Sequence, residues 1–347
     1  MVDVTIRQLD PGEVLRLPPD LALKVGFCGL DAWSGFVRSV YQFPIYRLVA
    51  ERGGNPEGLL ALTHVRHPVF GNYLTTAPFA SYGGYLAASS EARSALFSEV
   101  NRLAQSLGVD YVLARHEKGD ECPPEGWVQY SGYATYRIGL PANADALMPS
   151  YSSDHRNHIR KSLHKGFSIR FGRQELLQDA YEAIARSMHE LGSPYHGQRY
   201  LKAMLESLGE KLEFVVVYAK DGRLAGGGAL IYHGKVANNL HANILRSYRS
   251  DYVGEFLYWS ILEHCCELGM QTFDLGRSLS GSGNEVFKMK WRPERRTLAY
   301  WYALRPGVAL PNLNQKNPKY RLAIATWKRL PRPLVRWLGP FLICGLA

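Results

Sequence analysis

Apolar and polar positions alternate in short bursts through much of this chain, and the bursts fall into a repeated order. Residues 46–50 are apolar and β-prone, and a turn follows at Arg52-Gly53-Gly54-Asn55-Pro56. Residues 59–65 read as a second strand and 73–79 as a third, with His67-Pro68 and Gly71-Asn72 between them. The period then changes. Ala92, Leu96, Val100, Leu103 and Leu107 recur at helical spacing over 89–107, and Gly108 marks the stop before a strand at 109–114. The second half repeats the order. Strands are expected at 212–219, 224–232 and 236–244, with Asp221-Gly222 and His233-Gly234 as turns. A helical face follows through Phe256, Leu257, Ser260, Ile261, Cys265 and Leu268, then Gly269, then a strand at 271–275. A further helix is expected from a Ser152-Ser153-Asp154 cap to Lys165, with Gly166 as its stop. Its buried stripe is Ile159 and Leu163, with Arg156 bordering it, Arg160 one position further round, and Lys161 and Lys165 on the far side.

Two copies of strand–strand–strand–helix–strand describe a duplicated α/β (α+β) unit. That order resembles the core of the GNAT acyltransferase fold. The expected organisation is therefore two tandem GNAT-like domains, 1–145 and 146–305, followed by a short basic and aromatic tail, 306–347. The tail is polar at first, then carries Trp327, Lys328, Arg329, Arg332, Arg336, Trp337 and Phe341. Two placements fit it: a groove on the protein itself, or the surface of an anionic membrane.

Composition narrows the partners. The 347 residues carry a formal net charge of +10, which favours an anionic partner. The five cysteines (Cys28, Cys122, Cys265, Cys266, Cys344) contain no CxxC, so neither a disulfide framework nor a zinc site is indicated, and a reducing compartment fits. The residues after Met1 lack a signal-peptide layout, and no apolar run reaches the roughly 18 residues that span a bilayer. The expected location is cytoplasmic, with peripheral contact at the inner face of the membrane. His155 and His158 lie three apart without a third ligand, so no metal is expected.

The chemistry concentrates at 273–291. Phe273-Asp274-Leu275-Gly276-Arg277-Ser278 is a strand running into a glycine turn, Gly281-Ser282-Gly283 is a second turn, and Phe287-Lys288-Met289-Lys290-Trp291 follows. Backbone N–H groups around Gly281 and Gly283, with Arg277, Ser278, Lys288 and Lys290, make a candidate phosphate cradle, and Arg156 and Arg160 are candidate additions. Asp274 and Glu255 are the candidate proton acceptors, and Lys288 or a backbone N–H beside Gly276 are the candidates for oxyanion stabilisation. Each acid also has a structural reading: Glu255 as a partner of a helix N-terminus and Asp274 as the ion-pair partner of Arg277.

At these residues the chain resembles FemAB-like proteins, in particular the branch associated with exosortase and PEP-CTERM sorting systems. The resemblance rests on Pro78-Phe79-Ala80-Ser81-Tyr82-Gly83-Gly84, His155-Arg156-Asn157-His158-Ile159-Arg160-Lys161, the 273–278 run, Phe287-Lys288 with Trp291, and Pro311-Asn312-Leu313-Asn314 through 317–321 to Trp327-Lys328-Arg329-Leu330-Pro331. It implies a double-GNAT fold and transfer of an aminoacyl group from aminoacyl-tRNA to an amine of a cell-envelope or exopolysaccharide-related precursor. It also implies that Lys288 assists at the donor side. The acceptor would lie on the first domain, at Tyr82, Gly83 and Gly84, and the donor on the second. The branch usually has glycine after the tryptophan; here Arg292 stands there, without a glycine's backbone freedom. No covalently bound cofactor is implied; the donor is aminoacyl-tRNA or acyl-CoA. Arg249 to Gly254 offers only one arginine and one glycine where a coenzyme A loop would carry spaced glycines. Two alternatives stand beside transfer from aminoacyl-tRNA: an acyl-CoA-dependent N-acyltransferase, and a non-catalytic double-GNAT protein that binds a phosphate-bearing ligand.

Overall fold

The computed structural model describes residues 3–10, 12–119, 121–311 and 321–347. The part of the tail motif at 312–320 lies outside the described residues. Two compact units emerge. The first gathers the described residues up to Tyr133, those from Arg296 to Pro311, and Cys344–Ala347; the second gathers Ala134–Arg295 and 321–343.

The first half of the chain runs β1 (Val4–Gln8), α1 (Pro19–Lys24), α2 (Asp31–Tyr41), β2 (Ile45–Arg52), β3 (Asn55–His67), β4 (Gly71–Thr75), β5 (Tyr85–Ala87), α3 (Ser90–Leu107), β6 (Tyr111–Glu117) and β7 (Val128–Tyr130). β1 to β4 pair antiparallel in order, and β4 then pairs parallel with β6 through Tyr73–Tyr111 and Thr75–Leu113. A parallel pair needs a crossover, which α3 provides. That helix forms where expected: the Ser89 side chain accepts the Ala92 N–H at its start, and Gly108 ends it at φ 60°. Ala92, Leu96, Val100 and Leu103 bury one stripe against Leu48, Leu60 and Leu62 of the sheet.

The remainder runs β8 (Tyr133–Gly139), α4 (Ser153–Leu163), β9 (Ser168–Gly172), α5 (Leu177–Leu191), α6 (Gln198–Leu208), β10 (Leu212–Tyr218), β11 (Leu224–His233), β12 (Val236–Ile244), α7 (Val253–Glu267), β13 (Thr272–Asp274), β14 (Ser278–Leu279), α8 (Gly283–Met289), β15 (Glu294–Leu304), α9 (Arg321–Trp327) and α10 (Arg332–Cys344). β9 to β12 are antiparallel neighbours, and β12 pairs parallel with β13. The crossover here is α7, buried on nearly every side, as its continuous apolar sequence requires.

The units differ from the expected segmentation for one reason. The strand that completes each sheet comes from elsewhere in the chain. β15 lies against β6 in the first unit, and β8 lies against β13 in the second. The divisions therefore fall at Tyr133/Ala134 and Arg295/Arg296. The tail does not stand apart: its described residues belong to one unit or the other. β4 also stops at Thr75 instead of running to 79, because Ala77 and Phe79 take positive φ (48° and 61°), which no strand accommodates.

Candidate functional site

The split between β12 and β13 organises the second unit. Their pairing ends at Asn238–Asp274, while β12 runs on to Ile244 past a bulge opposite Ala229/Leu230. Beyond Asp274 the chain turns away at 275–278. Gly276 sits at φ 75°, and a Cβ there would lie 3.0 Å from the Asn239 carbonyl oxygen, so this turn accepts only glycine.

Asp274, a candidate proton acceptor from the sequence, anchors the turn. It is 2% exposed. Its Oδ1 accepts the Thr135 hydroxyl (2.5 Å) and the Gly276 N–H (2.8 Å), and its Oδ2 lies 3.3 Å from Arg137 Nε. The ion pair is thus made with Arg137, on β8, a partner that only the tertiary fold brings near.

Lys288 reaches the turn from α8. Its side chain is buried, and Nζ donates to the carbonyls of Gly276 (2.8 Å) and Arg277 (3.0 Å), 5.5 Å from the Tyr136 ring centroid. Burial lowers its pKa from 10.5 to about 7; the Asp274 charge opposes the shift and Arg277 adds to it. A lysine held this way carries its proton part of the time at neutral pH, as a group that gives and takes protons must.

Part of the expected phosphate cradle bonds within the chain. The Gly281 N–H donates to Glu285 Oε2 at 2.5 Å, and Ser282 caps α8 by accepting the Glu285 N–H. Glu285 Oε1 in turn accepts from the Tyr136 hydroxyl (2.6 Å) and Arg295 Nε (3.0 Å). Ser282-x-x-Glu285 has the sequence of a capping box, with Glu285 reaching the N–H of Gly281, one residue before the cap. Gly283 opens α8, exposed. The three cations are placed differently too. Lys288 turns inward and Arg277 is exposed, while Lys290 lies 4.0 Å from Glu255. Glu255, a candidate proton acceptor from the sequence, is buried in the first turn of α7.

Arg156 is half-buried and donates to the Tyr151 carbonyl at 2.5 Å, bracing the start of α4; Arg160 and Lys161 are exposed, and Lys165 pairs with Asp251. The buried stripe of α4 is His155, Ile159 and Ser162. Leu163, expected on it, is 43% exposed because it closes the helix one position off that line.

Further polar groups lie near the turn, of which Asn239, Tyr258 and Tyr151 were not candidates from sequence. Asn239 Nδ2 donates to the Tyr258 hydroxyl and the Leu275 carbonyl, leaving Oδ1 without a partner among the described residues. Ser278 Oγ, buried, is likewise unpartnered. Nearby, Tyr151, His155 and Trp291 meet edge-on, the His155 and Trp291 centroids 4.5 Å apart, with the Tyr151 hydroxyl, both His155 nitrogens and Trp291 Nε1 unpartnered. Burial pulls the His155 pKa to about 4, with Lys290 and His158 adding to it, so this imidazole is neutral at pH 7. Arg292 sits at φ 52°. It keeps the backbone shape a glycine would take and adds an exposed cation.

In the first unit, Gly83 (φ 119°) and Gly84 (φ 75°) are needed for their backbone angles, and their N–H groups are already committed. Gly83 donates to the Arg115 carbonyl, Gly84 to the Val25 carbonyl, and the Gly84 carbonyl accepts from Ala61. Tyr82 is half-buried beside them.

Residues 150–289 match the Acetyltransferase (GNAT) domain family. Among solved structures, FemX superposes with a TM-score of 0.62 at 13% identity, covering 90% of this chain and 100% of that one. A tandem GNAT protein from the clavulanic acid biosynthesis pathway gives 0.55 at 14%, covering 89% and 100%. L-PGS from Bacillus licheniformis gives 0.51 at 13%, covering 78% and 85%. The fold is two GNAT-like domains in tandem. No curated protein matches the chain in sequence. The split of β12 and β13, the 275–278 turn and Lys288 all lie within the segment that matches the acetyltransferase domain.

Proposed function

We propose that this protein transfers an aminoacyl or acyl group to an amine of a cell-envelope or exopolysaccharide-related acceptor, as a FemAB-like enzyme of the branch associated with exosortase and PEP-CTERM systems. The observation that carries the reading is Lys288, buried with a pKa near 7 on the turn beyond the β12/β13 split. In the reaction the acceptor amine attacks the donor carbonyl carbon. An N–C bond forms, the C–O bond of a tRNA ester (or the C–S bond of a thioester) breaks, the amine loses a proton, and the leaving group gains one. Lys288 is suited to steady the oxyanion or hand the leaving atom its proton. The unpartnered Ser278 hydroxyl and Asn239 carbonyl oxygen offer polar contacts to a donor at the same turn. A net charge of +10 supports an anionic donor, and Arg277 and Arg160, both exposed, are candidate cations to meet it. The first domain, at 82–84, would serve the acceptor and the second the donor.

The match to an acetyltransferase domain favours acyl-CoA as the second choice of donor. The tail bears on location. None of the described helices is long and apolar enough to cross a membrane. α10 packs through Val335 and Gly339, pairs Arg336 with Glu182, and exposes Trp337 (75%) and Phe341 (50%); Trp327 is buried and so is no membrane aromatic. These exposed rings support peripheral contact with an anionic membrane at the inner face. The test is to incubate the purified protein with a crude envelope-precursor pool and either aminoacyl-tRNA or acetyl-CoA, and to read products by mass spectrometry. An aminoacyl increment on the precursor supports the first donor and an acetyl increment the second. No increment with either contradicts transfer and leaves the ligand-binding alternative.

A further inference from the structure

β8 holds the 275–278 turn from both of its faces. Successive side chains of a strand point to opposite sides, and Thr135 and Arg137 take Asp274 on one of them. Tyr136, between the two, turns the other way and meets α8. It is 0% exposed. Its backbone carbonyl accepts the Leu275 N–H at 2.9 Å, which ties the residue to the first peptide of the turn.

The Tyr136 side chain does two separate things. Its ring centroid lies 5.5 Å from Lys288 Nζ, within reach of the attraction between a cation and the negative face of an aromatic ring. That attraction is strongest where water is excluded, and Lys288 is buried. The hydroxyl donates to Glu285 Oε1 at 2.6 Å, and Glu285 Oε2 accepts the Gly281 N–H at 2.5 Å. Glu285 and Lys288 stand three apart on α8, so a bond that fixes the first also fixes the height and rotation of the second. The same hydroxyl is the foremost cause that holds the Glu285 carboxyl below its usual range. Burial, and then Glu285, keep the hydroxyl itself protonated. A phenylalanine would fill this core but leave Glu285 Oε1 to Arg295 alone, and an aliphatic side chain would offer the ammonium no ring.

We propose that Tyr136 is the positioning residue of Lys288: its ring face steadies the ammonium against the Gly276 and Arg277 carbonyls, and its hydroxyl, through Glu285, holds α8 where Nζ reaches them. The purpose of this arrangement rests on the transfer reading, since a lysine that meets a donor must be both placed and able to carry its proton. The two arms are separable. The ring acts on the charge of Lys288, and the hydroxyl acts on Glu285 and the seat of α8.

The experiment is an NMR titration of the full chain carrying 13C at lysine Cε and glutamate Cδ, with Lys288→Met and Glu285→Gln to assign the two signals. Tyr136→Phe keeps the ring and should leave the Lys288 midpoint in place while the Glu285 midpoint rises. Tyr136→Met keeps most of the volume without the ring and should lower the Lys288 midpoint by about 0.5 pH unit or more. If Tyr136→Met does not unfold cooperatively, pentafluorophenylalanine at position 136 replaces it. That side chain keeps the ring's shape and reverses the charge of its face, so it should lower the Lys288 midpoint relative to Tyr136→Phe. A Lys288 midpoint that stays or rises when the ring face is removed or reversed would overturn the proposal. So would a Glu285 midpoint unmoved by Tyr136→Phe. A core residue that only packs would move neither midpoint in these directions. The titration needs no substrate, so a wild type that transfers nothing contradicts the proposed function and leaves the two midpoints to decide this inference.

Discussion

Lys288 makes a prediction about stability that needs no substrate. Holding its ammonium at about 7 instead of 10.5 corresponds to about 5 kcal/mol of folding free energy forgone when the group is charged in both states. The direction follows from proton counting. Below pH 7 the folded and unfolded chains both bind the proton, and the full penalty applies. Between pH 7 and 10.5 the unfolded chain binds more protons than the folded one, so stability climbs with pH, approaching 1.4 kcal/mol per pH unit in mid-window. Lys288→Met removes this term. It also strips the donor from the Gly276 and Arg277 carbonyls, at about 1–3 kcal/mol each. The two effects nearly cancel at pH 7, so the variant should melt close to wild type there. The difference appears in the slope. Urea unfolding at pH 6, 7, 8 and 9 should show the wild type gaining about 1–3 kcal/mol over the variant between pH 7 and 9. Parallel pH profiles for the two proteins would refute a depressed lysine.

Three further outcomes are expected. Arg292→Gly should stabilise the second unit by about 0.5–1 kcal/mol, because relief of the left-handed angle before Pro293 outweighs a glycine's extra chain entropy; a lower melting temperature would contradict the φ of 52°. Asp274→Asn keeps an acceptor for Thr135 and Gly276 but faces Arg137 with a neutral amide, and should cost about 2–3 kcal/mol while moving the Lys288 pKa further down; denaturant unfolding and lysine NMR check the two parts. Wild type should pellet with anionic vesicles at low salt, and Trp337→Ala with Phe341→Ala should reduce pelleting; no pelleting of either would end the membrane reading.

What was legible in the sequence was local. The helix 90–107 announces itself by its stripe, its serine cap and its glycine stop, and the order of strands around each crossover helix follows from alternation and turns. What was illegible depends on pairing across the chain. Nothing in residues 133–139 or 294–304 says which sheet they complete, since their alternation would suit either. The site shows the same division. Its place in the sequence, the 273–291 segment, stood out by composition. The roles within it did not, because they turn on direction. Lys288 points inward to two carbonyls, and Asp274 meets Arg137 from β8. Glu285 had a local signal: Ser282-x-x-Glu285 has the spacing of a capping box. Arg292 sits between these cases. Its place after Trp291 marked a backbone position suited to glycine, and only the structure shows that the arginine adopts that angle instead of changing the loop.

The central claim is that acyl or aminoacyl transfer occurs at the turn that Lys288 braces. Its most direct test is a single-turnover assay with a radiolabelled donor, comparing wild type with Lys288→Met at pH 7, both shown to be folded by melting. The account predicts a loss of at least a hundredfold in the rate of transfer to the acceptor amine, with labelled donor still bound. Transfer by Lys288→Met at the wild-type rate would contradict it.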